Sequence, residues 1–210
     1  MSQLIDSFGR VHRDLRISLT DKCNLRCSYC MPEFFNQWIP SKEHLTTEEL
    51  VTVIDIAVTA GIEEIRLTGG EPLLRADIVE IVRQINALPR PPAISMTTNG
   101  ITLARIAQPL VDAGLRRINV SLDTLDPRRY LRLTRRDLLG QVLEGLRAAA
   151  AVGISPIKIN AVLMRGVNDD EAETLVERAR LNGWQVRFIE FMPLENGKRW
   201  EMSKVVTGEE

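Results

Sequence analysis

Two hydrophobic periods take turns along this chain, and that alternation limits its fold more than any other feature. Leu15-Arg16-Ile17-Ser18-Leu19-Thr20 alternates with period two, and after a loop Leu50, Val53, Ile54 and Ala57 follow at helical spacing. Thr46 with Glu49 makes a capping box that starts this helix, and Gly61 suits the left-handed position beyond its last turn. The unit then repeats. Strand Glu64–Thr68 precedes a helix with Ile78, Ile81, Val82 and Ile85, and strand Ile94–Thr98 one with Leu103, Ile106, Ala107 and Leu110, closed by Gly114. Strand Arg117–Leu122 leads to a helix with Leu139, Val142, Leu143 and Leu146, stopped by Gly153. Strand Ile157–Val162 leads to one with Ala172, Leu175, Val176 and Ala179, stopped by Gly183, and a sixth strand, Gln185–Phe191, ends the series. Units of ~30 residues of this kind predict βαβ crossovers and a parallel sheet. The expected fold is α/β, a partial TIM-like (βα)6 barrel with outer helices, short of the eight strands of a closed one. An open doubly wound sheet is the rival.

A length of 210 residues fits one domain: an N-terminal extension over 1–14, the barrel over 15–192, and over 193–210 the start of a truncated C-terminal region. No apolar helical period follows Phe191 to cover the sixth strand, so the chain reads as the N-terminal part of a longer protein. Lys+Arg 27 against Asp+Glu 28 gives no bulk electrostatic case for a nucleic-acid or membrane-surface binder. No apolar run approaches the ~18 residues of a membrane span, and the first residues lack an export signal, so a cytoplasmic location is expected.

Buried parallel strands usually read as unbroken Val/Ile/Leu runs. Here Arg16, Ser18 and Thr20, then Arg66 and Thr68, Asn119, Ser121 and Asp123, and Lys158 and Asn160 all alternate with apolar neighbours. Helices cover the apolar face, so the polar set is expected inside the barrel. Arg16, Arg66 and Lys158 are three inward cations, which predict an anionic guest, pairing with inward carboxylates such as Asp123, or a place at strand ends in water. No Gly-x4-Gly-Lys-Ser/Thr loop is present, so phosphates would be held by side chains.

All three cysteines, Cys23, Cys27 and Cys30, fall in one run after the first strand, where barrel sites lie. Their spacing would place the thiols on one helix face, as small core residues. A structural zinc site is a second reading, although zinc in such sites takes four protein ligands and His12 and His44 lie outside the run. Three thiolates suit an iron–sulfur cube with one iron left open for substrate or cofactor.

Cys-x3-Cys-x2-Cys with an aromatic before the last Cys, then Leu67-Thr68-Gly69-Gly70-Glu71-Pro72, resembles the radical S-adenosylmethionine (SAM) superfamily. Within it, Asp6–Arg10, Leu15–Asn24, Met96–Gly100, Ile118–Asp123 and Arg187–Met192 are similar to the GTP cyclase family of molybdenum cofactor biosynthesis, over nearly the whole chain. The resemblance implies that Cys23, Cys27 and Cys30 ligate a 4Fe–4S cluster whose fourth iron is chelated by SAM. It places Tyr29 beside SAM through its backbone, Gly70 at the methionine amino group, Ser121 at the carboxylate or ribose and Met192 at the adenine. Arg16, Arg66, Thr97 and Lys158 would contact GTP. The implied reaction is removal of the 3′ hydrogen of GTP and attack on carbon 8, giving 3′,8-cyclo-7,8-dihydro-GTP. Implied partners are an electron donor such as flavodoxin or ferredoxin, the next enzyme of the pathway and a second copy in a homodimer. No cysteine follows Cys30, whereas the family carries a second, C-terminal cluster, so the function is assigned to the parent protein and impaired turnover is expected from these residues alone. A radical SAM enzyme with another substrate and a non-catalytic iron–sulfur protein are the alternatives. Phe34, Phe35 and Trp38 are expected to shield the cluster or to pack in the core, and Arg128, Arg129, Arg132, Arg135 and Arg136 to form a solvated face or a partner surface.

Overall fold

The computed structural model describes residues 4–193 and 200–210. Six parallel strands, β1 (Asp14–Ser18), β2 (Glu64–Thr68), β3 (Ala93–Thr98), β4 (Arg117–Ser121), β5 (Ile157–Leu163) and β6 (Gln185–Glu190), form one sheet in chain order. A doubly wound sheet reverses direction at a switch point. This one does not, so the barrel-like reading stands and the rival falls. The sheet is open, with β1 and β6 as its edges.

The helices are α1 (Thr47–Thr59), α2 (Ile78–Asn86), α3 (Leu103–Ala113), α4 (Pro127–Thr134), α5 (Leu139–Ala151) and α6 (Ala172–Asn182). The Thr46–Glu49 capping box starts α1 as expected, and Gly114 and Gly183 end α3 and α6 in the left-handed region. Between sheet and helices lies one core containing Ile65, Leu67, Met96, Ile118 and Val120 with Ile54, Ile81, Leu110 and Leu146. Each such side chain contributes about 1.5–3 kcal/mol on burial.

Three features depart from the sequence reading. Val53 and Val176 are exposed, because the buried stripe of α1 runs through Thr47, Leu50 and Ile54, and that of α6 through Leu175 and Ala179. The arginine run belongs to a helix: Asp126 caps α4 by accepting from the Arg129 amide at 2.7 Å, and α4 buries Tyr130, Leu133 and Thr134. Two of its arginines are engaged rather than solvated. Arg129 pairs with Asp170 and Glu171, and Arg135 reaches the cysteine loop. Of the expected C-terminal segment, residues 194–199 lie outside the described ones; beyond them Val205 bridges Met164 at the end of β5. No described helix is long and apolar enough to cross a membrane.

Candidate functional site

The cysteines lie in an irregular loop after β1, not on a helix. The physical reason is where the amides go. Arg26 N–H donates to the Thr134 carbonyl at 3.1 Å and Ser28 N–H to the Leu133 carbonyl at 2.8 Å, so the last turn of α4 takes the bonds that would have built a helix. A tight turn follows, with Cys30 and Met31 amides both donating to the Cys27 carbonyl at 3.0 Å. None of the three cysteines is in a disulfide; Cys23 and Cys27 are half-buried and Cys30 is exposed. Burial first, then neighbouring negative charge, pushes the Cys27 thiol up, and burial does the same to Cys23. A cationic core held at this position would offset that penalty, since the thiolate is the ligating form. Among the described residues no three Cys, His, Asp or Glu side chains converge on a single-ion site. By donor chemistry, three thiolates suit an iron–sulfur cube with one iron left open, whose ligands attach to different irons.

The loop is anchored at its base by the two glycines after β2. The Gly70 amide donates to the Thr20 carbonyl at 2.6 Å and the Glu71 amide to the Lys22 carbonyl at 2.7 Å. A Cβ on Gly70 would collide with the carbonyls of Asp21 and Lys22, and one on Gly69, at φ +149°, with that of Thr20. Backbone therefore packs on backbone immediately before Cys23. Glu71, which sequence reasoning left without a role, is buried and accepts from Thr98 Oγ1 and the Asn99 amide, both at 2.7 Å, and from the Leu73 amide at 3.0 Å. Asn99 Nδ2 in turn donates to Asn24 Oδ1 at 2.6 Å, inside the cysteine motif. Burial raises the Glu71 carboxyl against these three donors.

Tyr29 turns inward and its hydroxyl donates to Asp123 Oδ2 at 2.6 Å. Asp123 also accepts from the Val162 amide at 2.9 Å, and burial pushes its carboxyl up to about 6. It therefore does not pair with the inward cations. Ser121 sits at the end of β4 in a small cavity that it shares with Cys27, Tyr29 and Asp123. Met192 is exposed just past β6, next to Phe191, which shares a cleft with Ser28 and Tyr29. Phe34 is 88% exposed, which overturns the expectation that it packs in the core. Phe35 and Trp38 meet edge to face at 4.9 Å, and the Arg26 guanidinium lies 5.0 Å from the Trp38 ring.

The polar face of the sheet carries the cations in register. Arg16 pairs with Arg66, Arg66 with Ser95, Ser95 with Arg117, Asn119 with Lys158, and Asn160 with Arg187. Arg66 and Lys158 line one cleft of about 110 Å³ with Arg117, Arg187 and Glu64; Arg16 shares the adjoining cleft with Arg66. Arg16 is exposed, while Arg66 and Lys158 are half-buried, so these charges are partly hydrated rather than dry. Thr97 lies on the same face, accepting from Asn119 Nδ2 at 3.4 Å. Glu64 is the carboxylate that offsets one cation, lying 3.3 Å from Arg117. Arg117, Arg187 and Glu64 were missed by the sequence reading, although the period-two parity of their strands points to them. Burial, then Arg187, Arg117 and Arg66, lowers the Lys158 ammonium from its ordinary 10.5. Arg66 Nε is buried with no hydrogen-bond partner, an orphaned donor that fits a bound anion.

The Radical SAM superfamily model matches residues 17–179, from β1 through most of α6. The chain belongs to the radical SAM superfamily. Its members use a 4Fe–4S cluster and SAM. A GTP 3′,8-cyclase of Streptomyces coelicolor is 55% identical over 97% of this chain and 60% of its own length. Molybdenum cofactor biosynthesis protein 1 of Bos taurus is 48% identical over 99% of this chain and 32% of its own. The chain thus spans about 60% of the length of the first of these relatives. Among solved structures, Streptococcus suis SuiB bound to precursor peptide SuiA superposes with a TM-score of 0.71 at 20% identity, over 90% of this chain and 42% of that one. At that identity the likeness speaks for the radical SAM fold alone.

Proposed function

We propose that this chain is the radical SAM portion of a GTP 3′,8-cyclase acting in molybdenum cofactor biosynthesis. The observation that carries the reading is the cation row: Arg66 with its unpartnered Nε, Lys158, Arg117 and Arg187 in one cleft and Arg16 beside it, on the face of the sheet whose strand ends lead to the cysteine loop. A triphosphate supplies the negative charge that this row lacks, and Thr97 on the same face is a polar contact for the rest of the nucleotide. Cys23, Cys27 and Cys30 would hold the cluster, which with SAM would supply one-electron radical chemistry, given an external flavodoxin- or ferredoxin-type donor. Tyr29 keeps its side chain on Asp123, which leaves its backbone for SAM; Gly70, Ser121 and Met192 complete that site.

The residues of the chain then do three things. The cations fix the triphosphate, and with it the distance between ribose and the cysteine loop, where small misplacements are expensive in rate. The inward polar row keeps the nucleotide oriented along the sheet. The Tyr29–Asp123 bond holds the third cysteine's neighbour against the end of β4. The enzyme's product passes to a second enzyme of the pathway, and a homodimer is the proposed assembly. The test is anaerobic reconstitution with iron and sulfide, followed by assay of 5′-deoxyadenosine with and without GTP. Formation that responds to GTP and not to ATP is expected; formation indifferent to GTP would assign the row to another substrate.

A further inference from the structure

We infer that Arg135 is a positioning residue for the cluster: a clamp that closes both ends of the cysteine turn from the end of α4. The inference rests on ligation of the cluster by Cys23, Cys27 and Cys30. Arg135 is the one described non-glycine residue with positive φ, at φ 58° and ψ 25°, directly after the last residue of α4. Its own amide closes the helix on the Leu131 carbonyl at 2.8 Å. Glycine is the residue that meets this conformation without penalty, so an arginine here is held by something its side chain does. The guanidinium Nη1 lies 3.3 Å from the Arg26 carbonyl and 3.4 Å from the Met31 carbonyl. These are the residues immediately before Cys27 and immediately after Cys30. One guanidinium nitrogen thus bridges the turn that carries two of the three thiols, held in place by the rigid planar group that carries it.

The surrounding contacts aim the clamp. The Leu133 and Thr134 carbonyls, just before Arg135, accept from the Ser28 and Arg26 amides. Thr134 Oγ1 donates to the Tyr130 carbonyl at 2.8 Å and accepts from the Arg136 amide at 3.3 Å, which fixes the backbone on both sides of Arg135. Glu33 Oε2 lies 3.7 Å from Arg135 Nε and keeps the guanidinium over the loop. The end of α4 and the cysteine turn therefore meet through backbone and side chain together.

The test compares the reconstituted protein with Arg135→Gly and Arg135→Lys. Glycine relaxes the backbone and deletes the clamp; lysine keeps charge and strain but exchanges the rigid planar group for a flexible ammonium. Iron release to a chelator, followed by absorbance, is expected to be about fivefold faster or more in Arg135→Gly, the effect of one or two lost hydrogen bonds. Arg135→Lys should fall between that variant and the parent. The melting midpoint of the iron-free Arg135→Gly protein should equal or exceed that of the parent. Iron release from Arg135→Gly at the parent rate would overturn the clamp alone. A lowered iron-free melting midpoint would reduce Arg135 to a fold-stabilising residue and also overturn it. Failure of the parent to take up iron would remove the cysteine reading and the clamp with it.

Discussion

The cysteine loop and the cation row are built in opposite ways. The row is set by sheet register: once β1 to β5 pair in chain order, Arg16, Arg66, Ser95 and Arg117 lie side by side, and Asn119 beside Lys158, with no help from loops. The cysteine loop has almost no regular structure of its own, and is held by three distant segments: the glycine turn after β2, the Glu71–Asn99–Asn24 chain, and the end of α4. Charge placement by register tolerates the loss of one member, since each cation sits on a strand that its neighbours hold. Placement by long-range contacts does not, because every contact is also a support for the next.

The comparison breaks most sharply at Cys27. Cys27→Ser should abolish cluster assembly and SAM cleavage, while nucleotide affinity measured by calorimetry stays within about twofold, because no hydrogen bond or charge of the row is altered. A large drop in affinity would show that the two regions are not separable. Gly70→Ala comes next. A methyl group there meets the Asp21 and Lys22 carbonyls, so the segment entering Cys23 must move, at about 1–3 kcal/mol in chemical denaturation and with a several-fold loss of iron content. Near-normal iron content would show that the glycine turn does not set the position of Cys23.

Arg66→Ala acts on the other region. Removal of a charged donor should weaken triphosphate binding about ten- to hundredfold, with iron content unchanged. The smallest effect concerns pH. Lys158 is depressed from 10.5 by burial and by the surrounding arginines. It is charged, and binds the anion, at lower pH; as pH rises through its lowered value the free protein loses that charge, so GTP affinity should fall by a few-fold on the alkaline side, with proton uptake on binding. Lys158→Arg should flatten the profile. A fall that persists in that variant would place the titrating group elsewhere.

The same contrast explains what was legible in the sequence. Period-two alternation exposes strands and their faces directly, so Arg16, Arg66 and Lys158 could be read, and Arg117 and Arg187 were there by the same parity. The helices of the outer layer announced themselves through Thr46, Glu49 and the glycine stops. The cysteine loop's shape was not legible, since it depends on amides of Arg26 and Ser28 meeting α4, more than a hundred residues on. Nor was α4 itself, whose buried Tyr130, Leu133 and Thr134 are diluted by arginines. Glu71 reads as a surface residue by type; only the three donors around it explain its burial.

The uninterrupted strand order has a consequence for biogenesis. Every β-strand finds its hydrogen-bonding partner in the unit made just before it, so each βα segment leaving the ribosome meets an edge already prepared for it. The cysteine loop is the exception: it is synthesised early, but its supports are complete only once the fourth strand and the helix after it have been made.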